Sequence, residues 1–177
     1  METEVIMKKL LIVIDYQTDF VSGILGSPAA AEIEDIICEK IEQYRAENAE
    51  IVFTMDTHGD DYAETDEGRK LPMHCEKDSG GWQLYGKVKA LKKESDKYFC
   101  KSTFGSGELY DYLCRNSFDA VELCGVVTDI CVISNAVLVR TALPCCEITV
   151  DAKAVAGGKC GLDTMKSMLM NIVNYEG

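Results

Sequence analysis

The sequence predicts an α/β fold in which helices cover both faces of a mainly parallel sheet. Short apolar runs of strand length alternate with longer amphipathic segments, and this alternation is typical of parallel strands joined by helical crossovers. Residues 10–14 (LLIVI) contain no polar residue, as expected for a strand that is buried on both faces. We therefore predict a three-layer α/β/α architecture.

Each predicted element rests on a local pattern. The strands are apolar or β-branched runs, several of them closed by a polar residue, and the helices carry apolar residues at a spacing of three or four. In the first helix, this spacing places five large side chains on one face: Ile33, Ile36, Ile37, Ile41 and Tyr44. The predicted strands span 9–16, 51–57, 96–101, 120–127 and 147–151; the predicted helices span 30–48, 82–94, 107–116, 128 to about 143, and 162–173.

One long segment has no predicted helix or strand. Residues 59–81 are polar, contain glycine and show no periodicity, and a loop of that length in a compact domain is usually functional or disordered. No repeat, low-complexity segment or linker divides the chain, so we predict that residues 1–177 form a single domain.

Charge and composition exclude several classes of partner. The net charge of −12 argues against nucleic acid and favours a small-molecule substrate or a basic partner. The chain has no apolar run of 18 residues, so no membrane span is expected. Lys8 and Lys9 precede an apolar run, as in a signal peptide, but that run is too short and ends at Asp15.

The cysteines predict a reducing compartment. Nine cysteines is an odd number, their spacing is not that of a disulfide scaffold, and no Cys-x-x-Cys pair is present. We therefore expect a cytoplasmic protein. The cysteines that lie in apolar runs are expected to be small core residues. They are Cys38, Cys100, Cys114, Cys124 and Cys146.

The segment 120–132 reads as a buried strand that turns directly into a helix. Thr128 and Asp129 are residue types that cap helix starts. Cys131 then falls in the first turn, where free N–H groups and the helix dipole favour a thiolate. The backbone amides of Val127 and Cys131 would face an oxyanion there. The alternative is a packed core thiol, the commoner role for an arbitrary cysteine.

Polar residues end the other predicted strands. Because ligands bind at the carboxyl edge of a parallel sheet, Asp15, Lys101 and Cys131 are expected to lie close together. An ionised Asp15 can accept the thiol proton, and Lys101 can stabilise the thiolate. Taken singly, Asp15 would serve as a turn cap and Lys101 as a solvated strand end. Together they predict a cysteine hydrolase whose base is a carboxylate.

A metal site is predicted beside these residues. Asp56 and His58 lie on the same side of an extended segment, which suits chelation. Glu64 and His74 follow in the long loop. Two imidazoles and two carboxylates suit zinc, iron(II) or manganese. The alternatives are exposed loop histidines, or ligation by Cys75, although adjacent residues such as His74 and Cys75 seldom both ligate.

Five segments resemble, in order, motifs of the isochorismatase-like cysteine hydrolases, and within them of the nicotinamidase/pyrazinamidase branch. They are residues 15–20 (DYQTDF), 56–58 (DTH), 71–75 (LPMHC), 101–104 (KSTF) and 125–131 (GVVTDIC). The Asp-x-His and later His point to nicotinamidases, since isochorismatases lack this metal set. The resemblance covers nearly the whole chain and implies a Rossmann-like topology.

The resemblance also implies roles for individual residues. Asp15 becomes the proton shuttle, Lys101 the triad lysine and Cys131 the nucleophile. The oxyanion hole falls on the amides of Val127 and Cys131, with a cis peptide between Val126 and Val127.

The resemblance also implies which residues bind the metal and the substrate. The metal ligands fall on Asp56, His58 and His74, with Glu64 where many members have a third histidine. Phe20 and Phe104 correspond to the aromatic residues that sandwich the pyridine ring. Leu71 stands where several members carry tryptophan, and a sixth strand seen in relatives is expected to be missing or very short.

The resulting hypothesis is a metal-dependent nicotinamidase of NAD salvage, which forms nicotinate and ammonia through a thioester on Cys131. It would hold one divalent ion, with zinc the first choice, and the resemblance makes a homo-oligomer an option. Two alternatives remain open: a related hydrolase acting on another small amide or ether, and a non-catalytic binding member of the fold.

Overall fold

The computed structural model describes residues 7–176 and contains one six-stranded sheet. All five strand pairings are parallel. The strands are β1 (Lys9–Ile14), β2 (Glu50–Asp56), β3 (Lys97–Lys101), β4 (Ala120–Val126), β5 (Glu147–Ala156) and β6 (Asn171–Val173). Their order is β3-β2-β1-β4-β5-β6, which is the Rossmann order. The predicted fold class is confirmed.

Helices lie on both sides of this sheet. They are α1 (Thr18–Val21), α2 (Pro28–Glu32), α3 (Glu34–Ala46), α4 (Gly86–Leu91), α5 (Gly107–Arg115), α6 (Ile133–Ala142) and α7 (Cys160–Ser167). A 3₁₀ turn spans Tyr62–Glu64, and a π-helical turn, Thr128–Val132, leads into α6. The apolar core on one face includes residues of α3 and α4, and that on the other includes residues of α5, α6 and α7.

The central strand β1 explains why its sequence is apolar throughout. Leu10 and Ile12 belong to the core under α5–α7, whereas Leu11 and Val13 belong to the core under α3 and α4. Successive strand residues point to opposite faces, and both faces of β1 are covered. Residues 10–14 are therefore completely buried.

The helices predicted at 30–48 and 82–94 both differ from those observed. The helix expected at 30–48 is divided at Ile33 into α2 and α3. Ser27 caps α2 by accepting a hydrogen bond from the amide of Ala30 at 3.2 Å, and Pro28 occupies the first turn, where its missing N–H costs little. The helix expected at 82–94 is shorter and consists of α4 alone. Residues 83 and 85 instead form backbone hydrogen bonds with residues 18 and 16, which follow β1.

The prediction of a C-terminal helix at 162–173 was wrong for the second half of that range. The helix expected at 162–173 ends at Ser167, and Leu169 takes a left-handed backbone (φ 62°) with 86% of its surface exposed. The chain then adds β6, a strand of three residues. Of the two expectations for a sixth strand, missing or very short, the second is correct.

Two sequence predictions about composition can also be checked. None of the helices in residues 7–176 is long and apolar enough to cross a membrane. Cys124 and Cys146 are buried, and Cys38 and Cys100 are half-buried, as expected for core thiols. The prediction was wrong for Cys114, which is exposed.

Candidate active site

The three predicted catalytic residues meet at the carboxyl edge of the sheet. Asp15 follows β1, Lys101 ends β3, and Cys131 lies in the turn after β4. The strand order reverses between β1 and β4, and such a switch point is where open α/β sheets bind ligands. The Lys101 ammonium Nζ lies 2.7 Å from Asp15 Oδ2 and 3.6 Å from Cys131 Sγ. None of the three is more than 5% exposed.

Burial makes Asp15 a stronger base than an ordinary aspartate. Desolvation raises the pKa of its carboxyl, and the Lys101 charge opposes this only in part. The Thr54 hydroxyl donates to Asp15 Oδ1 at 2.6 Å and holds the carboxyl in place. A carboxylate with a raised pKa accepts a proton more readily, which suits the predicted role of Asp15.

The surroundings of Cys131 oppose ionisation of its thiol. Burial raises its pKa well above the usual range and the Asp15 charge adds to this, while Lys101 opposes both. Burial alone would lower the pKa of Lys101, but the charges of Asp15 and Cys131 outweigh it and the pKa rises. The lysine is thus a positive charge beside the sulfur, and its Nζ also contacts the Asp15 carboxylate. Proton transfer to Asp15 would create a thiolate that is already paired.

The turn carrying Cys131 has the cis peptide that the resemblance implied, between Val126 and Val127. The prediction that Thr128 and Asp129 cap the start of the helix bearing Cys131 was wrong. Val127 occupies the cap position, and the buried Thr128 hydroxyl has no hydrogen-bond partner among the described residues. Asp129 Oδ1 instead accepts from the amide of Gly161, near the start of α7, at 2.7 Å.

A second cluster of polar side chains adjoins the first. His58 Nε2 and His74 Nε2 lie 2.9 Å and 3.2 Å from Asp56 Oδ2. Glu67 Oε1 lies 3.6 Å from His74 Nε2. These four residues each offer one ligand atom, all within 4.8 Å of one another. Two imidazoles and two carboxylates at this spacing suit a divalent ion such as zinc.

The hydrogen bonds around the cluster support this assignment. His74 Nδ1 donates to the carbonyl of Pro72 at 2.9 Å, and this bond orients the ring so that Nε2 faces Asp56. Burial would raise the pKa of Asp56, but hydrogen bonds from His58 and His74 and the charge of Lys101 outweigh it and lower the pKa. Asp56 is therefore ionised, as a ligand must be.

Asp56 joins the two clusters. Its Oδ2 faces both histidines, while its Oδ1 accepts a hydrogen bond from Lys101 Nζ at 3.1 Å. One carboxylate thus contacts Lys101 with one oxygen and the two histidines with the other. Any rotation of this side chain would disturb both.

The structure brings Glu67, and not the predicted Glu64, to the histidines. Glu64 ends the 3₁₀ turn and is exposed. Cys75, the alternative ligand, is buried next to His74 but is not one of the four clustered residues. Tyr62 was missed: its hydroxyl lies 3.3 Å from His74 Nδ1. Nothing in the sequence pattern distinguishes it from other loop residues.

The three predicted substrate-binding residues differ in position. Phe20 is buried, and its ring centroid lies 5.3 Å from that of His74, one of the four clustered residues. Phe104 and Leu71 are 41% and 39% exposed. Phe104 is close in sequence to Lys101, and Leu71 to His74, so both lie on segments that lead into the site.

A parallel α/β sheet with a buried cysteine, lysine and aspartate at its switch point defines a cysteine hydrolase. The isochorismatase domain model matches residues 9–159. The chain therefore belongs to the isochorismatase family, and it is an amidohydrolase. The curated isochorismatase family protein PncA of Bacillus subtilis, described as uncharacterized, is 34% identical over an alignment of 145 residues. The match covers 74% of this chain and 78% of that protein.

Solved structures extend the similarity. Nicotinamidase PncA from Bacillus subtilis is 28% identical, with a TM-score of 0.81, covering 93% of this chain and 98% of that one. The pyrazinamidase/nicotinamidase of Streptococcus mutans is 28% identical with a TM-score of 0.84, covering 94% and 100%. The pyrazinamidase of Pyrococcus horikoshii, solved in complex with zinc, is 27% identical with a TM-score of 0.82, covering 95% and 99%.

Proposed function

We propose that this protein is a metal-dependent nicotinamidase that converts nicotinamide to nicotinate and ammonia in NAD salvage. The observation that carries the proposal is the Asp56 carboxylate, which joins a Cys–Lys–Asp triad to a cluster of two histidines and a second carboxylate. The similarity to structures of nicotinamidases and pyrazinamidases supports it.

The triad performs the chemistry in two stages. Asp15 takes the proton of Cys131, and the thiolate, stabilised by Lys101, attacks the amide carbon of the substrate. The amides of Val127 and Cys131 stabilise the oxyanion. The carbon–nitrogen bond then breaks, Asp15 returns the proton to the departing ammonia, and a thioester remains. Water, deprotonated by Asp15, hydrolyses the thioester and regenerates the thiol.

The metal cluster has a positioning role in this proposal. Four residues would hold the ion: Asp56, His58, Glu67 and His74. When bound, a divalent ion, with zinc the first choice, supplies a Lewis-acidic contact for the ring nitrogen of a pyridine amide. The buried Phe20 provides an apolar wall next to this cluster. Holding the ring in this way presents the amide to Cys131.

The direct test measures ammonia release from nicotinamide by the purified protein. We expect turnover with zinc, manganese or iron(II), and its loss after treatment with a chelator. Cys131→Ala should abolish turnover without unfolding, as checked by circular dichroism, because it removes only the nucleophilic sulfur. Full activity of Cys131→Ala would refute the assignment of Cys131 as the nucleophile.

The role of the ring nitrogen can be tested separately with benzamide, which lacks it. We expect the kcat/KM for benzamide to be far below that for nicotinamide, because benzamide cannot make the metal contact. Pyrazinamide, which keeps a ring nitrogen, is the matched control. Equal rates for benzamide and nicotinamide would contradict a substrate held through its ring.

Two further predictions belong to this proposal. A cytoplasmic location agrees with nine cysteines, none of which forms a disulfide. A homo-oligomer stays a prediction, which light scattering of the purified protein would test.

A further inference from the structure

We infer that Gln17 is a positioning residue that fixes the metal ligand Asp56 through its backbone. This inference rests on the proposed metal site. Gln17 is completely buried, although its side chain is a primary amide. Its Oε1 accepts a hydrogen bond from the amide of Asp56 at 2.7 Å, and its Nε2 donates to the carbonyl of Asp56 at 2.8 Å. One planar group therefore grips both polar backbone atoms of a single residue.

The strand geometry explains why a side chain is needed here. The pairing of β1 with β2 ends at Ile14 and Thr54, because the chain turns away at Asp15 in a left-handed conformation (φ 45°). Asp56 lies two residues further along β2 and pairs only with Lys101 of β3. The Gln17 amide bonds Asp56 on the side that β1 has left, and so replaces the missing strand neighbour.

A further contact braces the Gln17 amide itself. Its Nε2 also donates to the carbonyl of Trp82 at 2.8 Å. The Trp82 indole in turn donates to Thr57 Oγ1 at 2.8 Å, one residue beyond Asp56. The amide thus uses both donors and its acceptor, and the bonds close a ring around the end of β2. A fully bonded amide has little freedom to rotate, so it can hold its partner rigidly.

The same turn holds the other metal-binding segment. Asp19 Oδ2 accepts from the amide of Cys75 at 2.7 Å, immediately after the ligand His74. Gly81 packs so closely on Asp19 that a Cβ there would lie 2.1 Å from the carboxylate. The turn after β1 therefore carries the catalytic Asp15 and also grips the backbone of both ligand-bearing segments.

The hydrogen bonds from Gln17 matter because the side-chain contacts of Asp56 depend on where its backbone lies. Its two oxygens serve Lys101 and the two histidines at 2.9–3.2 Å. A small change in its backbone would lengthen contacts on one side or the other. Residues that orient metal ligands typically change metal affinity by about 10- to 100-fold when they are replaced.

The test compares Gln17→Met, which keeps the length of the side chain but removes its hydrogen bonds, with Thr18→Val. Thr18 lies in the same turn and donates to the carbonyl of Gln83 at 3.2 Å, without touching Asp56. Zinc affinity of each metal-free protein is measured by competition with a chromophoric chelator. We expect the zinc dissociation constant of Gln17→Met to rise about 10- to 100-fold, and that of Thr18→Val to stay as in the wild type. Saturating zinc should restore most of the kcat of Gln17→Met.

The outcomes separate this inference from the proposed function. If the wild type takes up no zinc, manganese or iron(II), both fail. If the wild type binds zinc and the folded Gln17→Met binds it equally well, only the role of Gln17 fails. Should Gln17→Met not fold, NMR of the wild type decides: the side-chain amide protons of Gln17 should exchange slowly with solvent and shift when zinc is added. Gln17 side-chain amide resonances that do not shift when zinc is added would contradict the inference.

Discussion

Two glutamates three residues apart have different surroundings in the loop before His74. Glu67 is half-buried and faces His74. Glu64 is exposed and is bonded through its backbone: its amide donates to the carbonyl of Asp61, and its carbonyl accepts from the Arg69 guanidinium. The 3₁₀ turn at residues 62–64 directs the Glu64 side chain to solvent. Spacing alone gave no means of choosing between them.

We expect Glu67→Ala to weaken zinc binding by at least about tenfold, because it removes one of four clustered ligand groups. Glu64→Ala is the matched control and should bind zinc like the wild type. Chelator competition measures both. The reverse order of effects would restore the original prediction of Glu64.

At the scale of elements, the turn that carries Cys131 is joined to α7. The amide of Asp129 donates to the carbonyl of Gly157 at 3.2 Å, and its Oδ1 accepts from Gly161. The carboxylate therefore satisfies a free N–H in the first turn of α7, although it belongs to a different element. This is the bonding of a helix cap, supplied from a distant part of the chain.

Asp129→Ala should lower the free energy of unfolding by about 0.5–2 kcal/mol, the usual cost of losing a cap. Asp129→Asn keeps an acceptor oxygen and should lose less. Urea denaturation of both variants measures the difference. An alanine variant as stable as the wild type would show that the contact adds nothing to the stability of α7.

The elements differ in how well their sequences predict them. Strand β1 was predictable, because residues 10–14 are buried on both faces and have no polar member. The end of α7 was not: apolar residues continue at helical spacing past Ser167, and no Gly or Pro marks the break. The chain leaves the helix because Ile172 in β6 pairs with Val150 in β5, a long-range contact that local sequence does not encode.

At the scale of the whole molecule, one charged network ties helix, sheet and C-terminal segment together. Lys40 of α3 lies 2.7 Å from Glu122 of β4 and 2.9 Å from Asp151 of β5. Asp151 Oδ1 also accepts from Asn174, just after β6, at 2.9 Å. Burial would raise the pKa of Asp151, but the hydrogen bonds from Lys40 and Asn174 outweigh it and the pKa is lowered.

This lowered pKa predicts a pH-dependent contribution to stability. A carboxyl with a depressed pKa stabilises the folded state above its unfolded pKa, and that contribution disappears as the pH falls through the folded pKa. Asp151→Asn should therefore cost about 1–3 kcal/mol at neutral pH. The gap from the wild type should shrink as the pH falls below the ordinary aspartate value of 3.8. Urea denaturation across this range measures it, and a constant gap would contradict the assignment.

The site was predictable to the extent that topology alone determines it. Strand-terminal positions placed Asp15, Lys101 and Cys131 together, because parallel strands share a carboxyl edge. The choice of Glu67, and the contacts of Tyr62 and Gln17, depend on loop conformations that no periodicity records. Strand topology therefore determines where Asp15, Lys101 and Cys131 lie, whereas loop conformation determines the surroundings of the two histidines.

The strand order has a consequence for the chain as it leaves the ribosome. Strand β1 lies between β2 and β4, so the first hundred residues can build only half of the sheet. One flank of β1, at residues 9–14, then exposes unpaired peptide groups until residues 120–126 have been synthesised. Open strand edges of this kind invite pairing with other chains. This flank of β1 therefore stays open to such pairing until β4, which directly precedes the turn bearing Cys131, has been synthesised.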